Sequence, residues 1–363
     1  MKYEKQTVEK ILKSFKDNLF GVKLFFDKFS DIAENEDEEQ FRENTDYFKS
    51  CLKEIGVDLS QEGKNEKKLD IPEGKLIHLA KKLNKQPELS LKNFEILSSS
   101  SFLMLNNYFE YLLADLLTYY YSKFKDSIKS KELKVSLNEI NEYDTIEDLE
   151  NSLILKEVET MLIELSFDSL LEHFNRKLKV ELENDIVDWN LIIELRERRH
   201  IIVHNGSVVN KKYISRSKNP FSLNVGDKIN IDKKYFEKAF NEIKLAGLIL
   251  SYNSWGNWDK ENIDDAVRQM LKDSFDSLLI NNTQFCYRLT TYIGKIEARS
   301  EEQENCLLRA KFNQCISLKK MEKKTELKTE LGKIKTGTST PLFKLAHAIL
   351  SDKSDKTILD LMK

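Results

Sequence analysis

Proline and glycine are scarce in this chain, four and eleven among 363 residues, and neither occurs between Pro87 and Gly206. These two residues punctuate local structure most strongly, so their absence over that stretch excludes frequent turns and predicts long helices. Cysteine is sparse as well. Cys51, Cys286, Cys306 and Cys315 form no C-x-x-C pair, and no histidine stands at zinc-ligand spacing from them. The pattern reads as buried or half-buried thiols in a reducing compartment, and no metal site is expected. No apolar run approaches the roughly 20 residues that span a bilayer. The N-terminus leads into a charged amphipathic segment, not a signal-peptide core. A cytoplasmic setting without a membrane partner is the expectation. A glycine-rich phosphate loop is missing too, which argues against an ATP-driven mechanism; no cofactor is expected. Charge of one sign is also lacking: 58 basic residues face 61 acidic ones, for a net charge of −3. Nucleic-acid binding would therefore need a local basic patch.

What is present is helix. A third of the residues are charged, and strand signals are few. The length suggests two or three domains. Val8, Ile11, Leu12, Phe15, Leu19, Val22 and Phe26 follow helical spacing. An acidic interval at 34–40 is read as a break before a second helix at 41–52, a charged loop at 60–70, and a third helix near 75–83 after Pro72. The strongest helical signal covers 98–124, with Ser98 to Ser101 as capping hydroxyls. After a polar connection at 125–150, residues 151–182 form a long helix or a bent pair. Residues 188–204 form a helix closed by Asn205-Gly206 as a left-handed cap. Asp232 caps the next helix, and 207–210 with 228–231 could pair as a short hairpin. Further helices are expected at 263–279, 285–298, 302–321 and 341–350. The fold class is all-α: a helical N-terminal region over 1–95, a central bundle over 96–256, and a helical C-terminal region over 257–363.

The most informative stretch is Arg198-Arg199-His200-Ile201-Ile202-Val203-His204-Asn205-Gly206. Projected at about 100° per residue, Leu191, Ile192, Leu195, Ile202 and Val203 share an arc. Arg199 falls near its centre, Arg196 at its margin and Arg198 on its flank. An arginine there needs a partner: an acid, a phosphate or another subunit. It could snorkel, or pair with a glutamate such as Glu110. The helix dipole alone favours a histidine near the C-terminus. Against that stands the local basic density of Arg196, Arg198, Arg199, Lys211, Lys212, Arg216 and Lys218, which would attract phosphates. Histidine moves protons near neutral pH, and arginine holds phosphate through a bidentate fork. Together they could support cleavage of RNA by its own 2′-hydroxyl.

The stretch Arg199-His200-Ile201-Ile202-Val203-His204 resembles the motif of the HEPN superfamily, an arginine, often then a polar residue, and a histidine after four to six intervening positions. Arg198 fits with five intervening residues. Asn106-Asn107-Tyr108-Phe109-Glu110-Tyr111-Leu112 is similar to the first core helix of these domains, and Val225-Gly226-Asp227-Lys228-Ile229-Asn230-Ile231-Asp232 to their approach to the fourth. The similarity covers about 95–256. It implies a four-helix bundle that forms a homodimer with its motifs facing each other, and metal-independent cleavage of RNA as a toxin or anti-phage defence effector. By position, Arg199 would hold the scissile phosphate and His204 would act in proton transfer. His200 and Asn205 would support them, Glu110 would orient Arg199, and Arg196, Arg198, Lys211 and Lys212 would contact RNA. One position departs: Gly206 stands where some toxin members carry a modified tyrosine, so that form of regulation is not implied. The competing reading is a non-catalytic helical scaffold in which the motif arginine forms a structural ion pair. On a third possibility the flanking regions sense something: they could bind a regulatory protein or a phage-derived trigger, hold the nuclease inactive, or fix the oligomer.

Overall fold

The computed structural model describes residues 6–55, 73–83, 92–128, 140, 142–335, 340–353 and 358. Among them every regular element is helical, and the architecture is all-α. The segment expected as a loop at 60–70 and Pro72 lie outside the described residues, as does much of the 125–150 connection.

The first helix, α1, runs unbroken over Val8–Glu54, about 70 Å at 1.5 Å per residue. The break expected at 34–40 does not occur. The acidic interval contains no glycine or proline, and glutamate is a good helix former. One of its acids has a tertiary task. The Asp37 carboxylate accepts the backbone N–H groups of Asn93 and Phe94, each at 2.9 Å. It thereby caps α3 (Asn93–Lys123), whose own N-cap residue Lys92 makes no side-chain bond. The expected caps Ser98 and Ser101 lie inside α3 and are buried. A short α2 (Glu73–Leu83) packs on the end of α1 through Cys51, Leu52, Ile55 and Leu79.

The bent pair expected at 151–182 is α4 (Ile146–Glu164) and α5 (Phe167–Arg176), broken where Ser166 caps the second helix. The motif helix is α6 (Trp189–His204). It is followed by a short α7 (Lys211–Ser217) and a long α8 (Lys233–Trp258), which Asp232 caps through the Tyr235 N–H at 2.6 Å. The expected hairpin is reduced to a single antiparallel bridge between Val208 and Lys228. The C-terminal region supplies α9 (Ile263–Leu279), α10 (Thr283–Ile293), α11 (Glu301–Lys320), α12 (Lys324–Gly332) and α13 (Pro341–Leu350).

Both α1 and α6 pack against α3 and α8, with no substantial contact between α1 and α6. The N-terminal helix therefore belongs to the central assembly. Phe26 stacks on Phe236 with ring centroids 3.8 Å apart. Gly247 is what lets α1 approach α8: a Cβ there would lie 2.2 Å from the Phe15 ring. One continuous core runs from Val8 on α1 to Ala310 on α11. The boundaries expected near 95 and 256 coincide with no gap in it, and residue 256 lies inside α8. Asp273 of α9 ties three helices together, bonding Lys16 of α1 and the Tyr252 hydroxyl of α8. A second cluster, including Phe312, Leu327, Leu331 and Phe343, closes the C-terminal end. The four cysteines are free and buried. No helix among the described residues is long and apolar enough to cross a membrane.

Candidate functional site

Helix α6 begins where Asp188 accepts the Leu191 N–H at 3.0 Å. It ends in the expected left-handed cap: Gly206 has φ +58°, and the Ser207 N–H reaches back to the Ile201 carbonyl at 3.1 Å. Asn205 serves this turn, its side-chain amide donating to the Val208 carbonyl at 2.6 Å. The turn fixes where the helix stops, and His204 is its last, exposed residue.

The buried face of α6 differs from the arc expected. It runs through Leu191, Glu194, Leu195, Arg198 and Ile201, while Val203 is exposed. The arginine within the stripe is Arg198, only 4% exposed, and not Arg199. Its Nε donates to Glu194 Oε1 at 2.7 Å, one turn earlier on the helix. Glu194 also accepts the Tyr213 hydroxyl at 2.5 Å and the Tyr235 hydroxyl. The Arg198 guanidinium lies over the Tyr235 ring at 3.9 Å and the Phe221 ring at 5.2 Å. Burial, and then the neighbouring Glu194 charge, hold the Tyr213 and Tyr235 hydroxyls well above the ordinary tyrosine range. Both therefore stay neutral donors. Arg198, expected to contact RNA, is enclosed in this network and cannot reach a ligand.

Arg196 and Glu110 pair with each other at 3.1 Å, and Arg196 also lies over the Phe167 ring at 4.5 Å. Burial lowers the Arg196 pKa, and Glu110 opposes that. Glu110 thus holds Arg196, where it was expected to orient Arg199. The residue that does reach Arg199 is Asn107 of α3, whose Oδ1 lies 3.5 Å from Nη2. Asn107 carries no expected role; its one signal in the sequence is the Asn106-Asn107 pair that interrupts an otherwise apolar stretch. Arg199 is half-buried, has no carboxylate partner among the described residues, and has a buried Nε without an acceptor.

The histidines lie at the helix end, with the His200 and His204 rings 4.9 Å apart. Burial lowers the His200 pKa, and the charge of Lys212 adds to it. Lys211 and Lys212 are exposed in the first turn of α7, which Asn210 caps through the Tyr213 N–H at 2.8 Å. Arg216 follows on the same helix, 3.7 Å from Glu197 of α6. Two histidines and a basic rim thus share the C-terminal end of the motif helix. A cavity of about 630 Å³ opens at the other end, lined in part by Asp188, Trp189, Asn190, Lys218 and Arg288. Among the described residues no group of three or more histidine, cysteine or acidic side chains is placed to hold a metal.

No family model, no curated protein and no solved structure matches the chain.

Proposed function

We propose that this protein is an RNA endonuclease of the HEPN kind, a homodimer whose Arg199 and His204 form a composite site. The observation that carries this reading is the contrast among the three arginines of α6. Arg196 has Glu110 and Arg198 has Glu194, whereas Arg199 has a long contact to a neutral amide and a buried Nε without an acceptor. A guanidinium whose Nε is buried without an acceptor carries a desolvation cost that a bound anion would relieve. A phosphate fits that requirement through a bidentate fork.

Five residues along one helix place Arg199 and His204 about 140° apart around the axis. They do not share a face within one chain, so a phosphate touching both calls for two copies meeting at this end. There Arg199 holds the scissile phosphate and Asn107 steadies the guanidinium. A histidine accepts the 2′-hydroxyl proton as O2′ attacks phosphorus. The P–O5′ bond breaks, and a histidinium returns a proton to the leaving O5′. The products are a 2′,3′-cyclic phosphate and a 5′-hydroxyl. Lys211 and Lys212 attract the flanking phosphates. Such an enzyme would serve as a toxin or anti-phage defence effector, with the remaining helices taking a regulatory protein or a phage-derived trigger.

The test is cleavage of single-stranded RNA by purified full-length protein with excess chelator. Arg199→Ala and His204→Ala should each lower the rate by about 10²–10⁴-fold, with cyclic-phosphate ends in the wild-type products. Undiminished cleavage by His204→Ala, or ends of another kind, would overturn the mechanism.

A specific observation favours a second reading, a non-catalytic helical scaffold. Arg198 also stands at motif spacing from His204, and its pair with Glu194 is structural. On that reading wild-type protein leaves RNA intact under every condition in which it is folded.

A further inference from the structure

Between Arg309 and Lys335 stand nine basic residues and three glutamates, in a chain whose net charge is −3. The excess falls on α11 and α12, and on α12 the fold sorts charge by face. At about 100° per residue, Leu327 and Leu331 share one side, and both are buried in the C-terminal core. Glu326 and Glu330 lie on the flank beside it, each near a lysine. Glu330 pairs with Lys333 at 2.7 Å, and Glu326 lies 4.0 Å from Lys323. The remaining arc holds Lys324, Thr325, Lys328, Thr329 and Gly332, all exposed. Neither Lys324 nor Lys328 forms an ion pair among the described residues. Asp352, whose charge reaches Lys324, is held by Lys319 at 2.7 Å. A Cβ at Gly332 would meet nothing within 4 Å, so the fold leaves this arc open.

What the arc lacks narrows what it fits. The acids of α12 sit on another flank, so the open arc is basic only. It carries no apolar or aromatic side chain. It therefore offers neither the anchors of a protein hot spot nor the apolar side of a membrane-inserting helix. A polyanion held by charge and hydroxyl contacts suits it. Lys324 and Lys328 stand one turn apart, about 6 Å along the axis. That spacing serves separate phosphates along a strand better than one compact anion.

We infer that the open arc of α12 is a surface for the phosphate backbone of a nucleic acid, with Lys324 and Lys328 each on a phosphate. It lies on a different helix from the basic residues of α6 and α7. It concerns the holding of a strand, so it stands whether or not Arg199 and His204 cut one.

The test uses the full-length protein and two fluorescein-labelled single strands of equal length. One is 2′-O-methyl RNA, which has no 2′-hydroxyl to attack, and the other is DNA. Fluorescence anisotropy gives the affinity across a series of salt concentrations. For a single strand, log K falls against log salt with a slope of about −0.7 per phosphate engaged. Lys324→Gln with Lys328→Gln should therefore flatten the slope by about 1.4 and weaken binding roughly 20-fold at about 0.1 M salt. Lys324→Arg with Lys328→Arg should keep both slope and affinity. Lys10→Gln with Lys13→Gln, which removes the same charge from α1, should leave the slope unchanged. An unchanged slope in the α12 glutamine pair overturns the inference. An equal loss in the α1 pair does so too, because the effect would then be one of net charge. A loss confined to one of the two strands overturns backbone recognition, since the arc reads no base and no 2′-hydroxyl. Wild-type protein that binds neither strand, yet binds phosphatidylcholine vesicles containing phosphatidylserine, would make the partner a membrane and overturn it as well. The ribonuclease reading fails by a different measurement, the rate and ends of cleavage, and Arg199→Ala leaves the contribution of α12 to the slope in place.

Discussion

Arg198 and Glu194 stand one turn apart on the motif helix and pair at 2.7 Å with both side chains enclosed. Two tyrosine hydroxyls donate to the same carboxylate. Removing one member strands a buried charge, so Arg198→Ala or Glu194→Ala should destabilise the fold by about 3–5 kcal/mol. Replacing both, with Arg198→Met and Glu194→Leu, should recover only part of this, because Tyr213 and Tyr235 lose their acceptor. Arg199→Ala, which breaks no ion pair, should change stability by less than about 1 kcal/mol. Urea unfolding of the four variants decides the matter. A loss at Arg199 equal to that at Arg198 would make Arg199 structural and remove the basis for a phosphate site.

The same pair explains where the sequence misled. A wheel counts Glu194 and Arg198 as polar, so the apolar arc appears to turn toward Val203, which is exposed. An ion pair at i, i+4 that is buried looks identical in sequence to one in solvent. The long helices were legible because proline and glycine are missing, and the caps at Asn205-Gly206 and Asp232 because their chemistry is local. What was not legible depended on partners distant in sequence. Asp37 marks a break when read alone, yet it caps a helix that begins 56 residues later. Glu110 was recognised as an arginine partner, but the choice between Arg196 and Arg199 is made by how α3 and α6 cross. Helix α12, with only Leu327 and Leu331 buried, is too short and too polar to give a periodic signal.

Gly247 sits in the interior of α8, where glycine is otherwise unfavourable. Its place follows from the Phe15 ring, which occupies the space a Cβ would take. Gly247→Ala should therefore destabilise the protein by about 1–3 kcal/mol through overpacking, although alanine is the better helix former. Adding Phe15→Leu should relieve part of the loss. If Gly247→Ala raises the midpoint of denaturation, α1 is not seated against α8 as described.

The His200 imidazole has a pKa below its ordinary value, through burial first and then the charge of Lys212. In the unfolded chain the group titrates near 6.5. As pH falls below that value the unfolded state takes up the proton first, so the folded state loses stability between 6.5 and the lowered folded value. Above 6.5 the contribution is complete. Lys212→Gln should move the His200 midpoint upward, observed by NMR of the ring protons across pH 4–8. A midpoint at or above 6.5 in the wild type would remove the electrostatic coupling between α6 and α7.

Asp37 accepts the first two N–H groups of α3 from a different helix. Those groups have no partner within α3, and the carboxylate also meets the positive end of the helix dipole. Asp37→Ala should cost about 0.5–2 kcal/mol, the range for loss of a helix cap. Asp37→Asn keeps one acceptor oxygen and should lose less. The effect should be local as well as global, so amide exchange at Ile96 and Leu97 should quicken in Asp37→Ala before it changes elsewhere. An unaltered exchange rate there, with an unaltered melting temperature, would mean that α3 begins independently of α1. The acidic interval would then be an ordinary solvated stretch of helix.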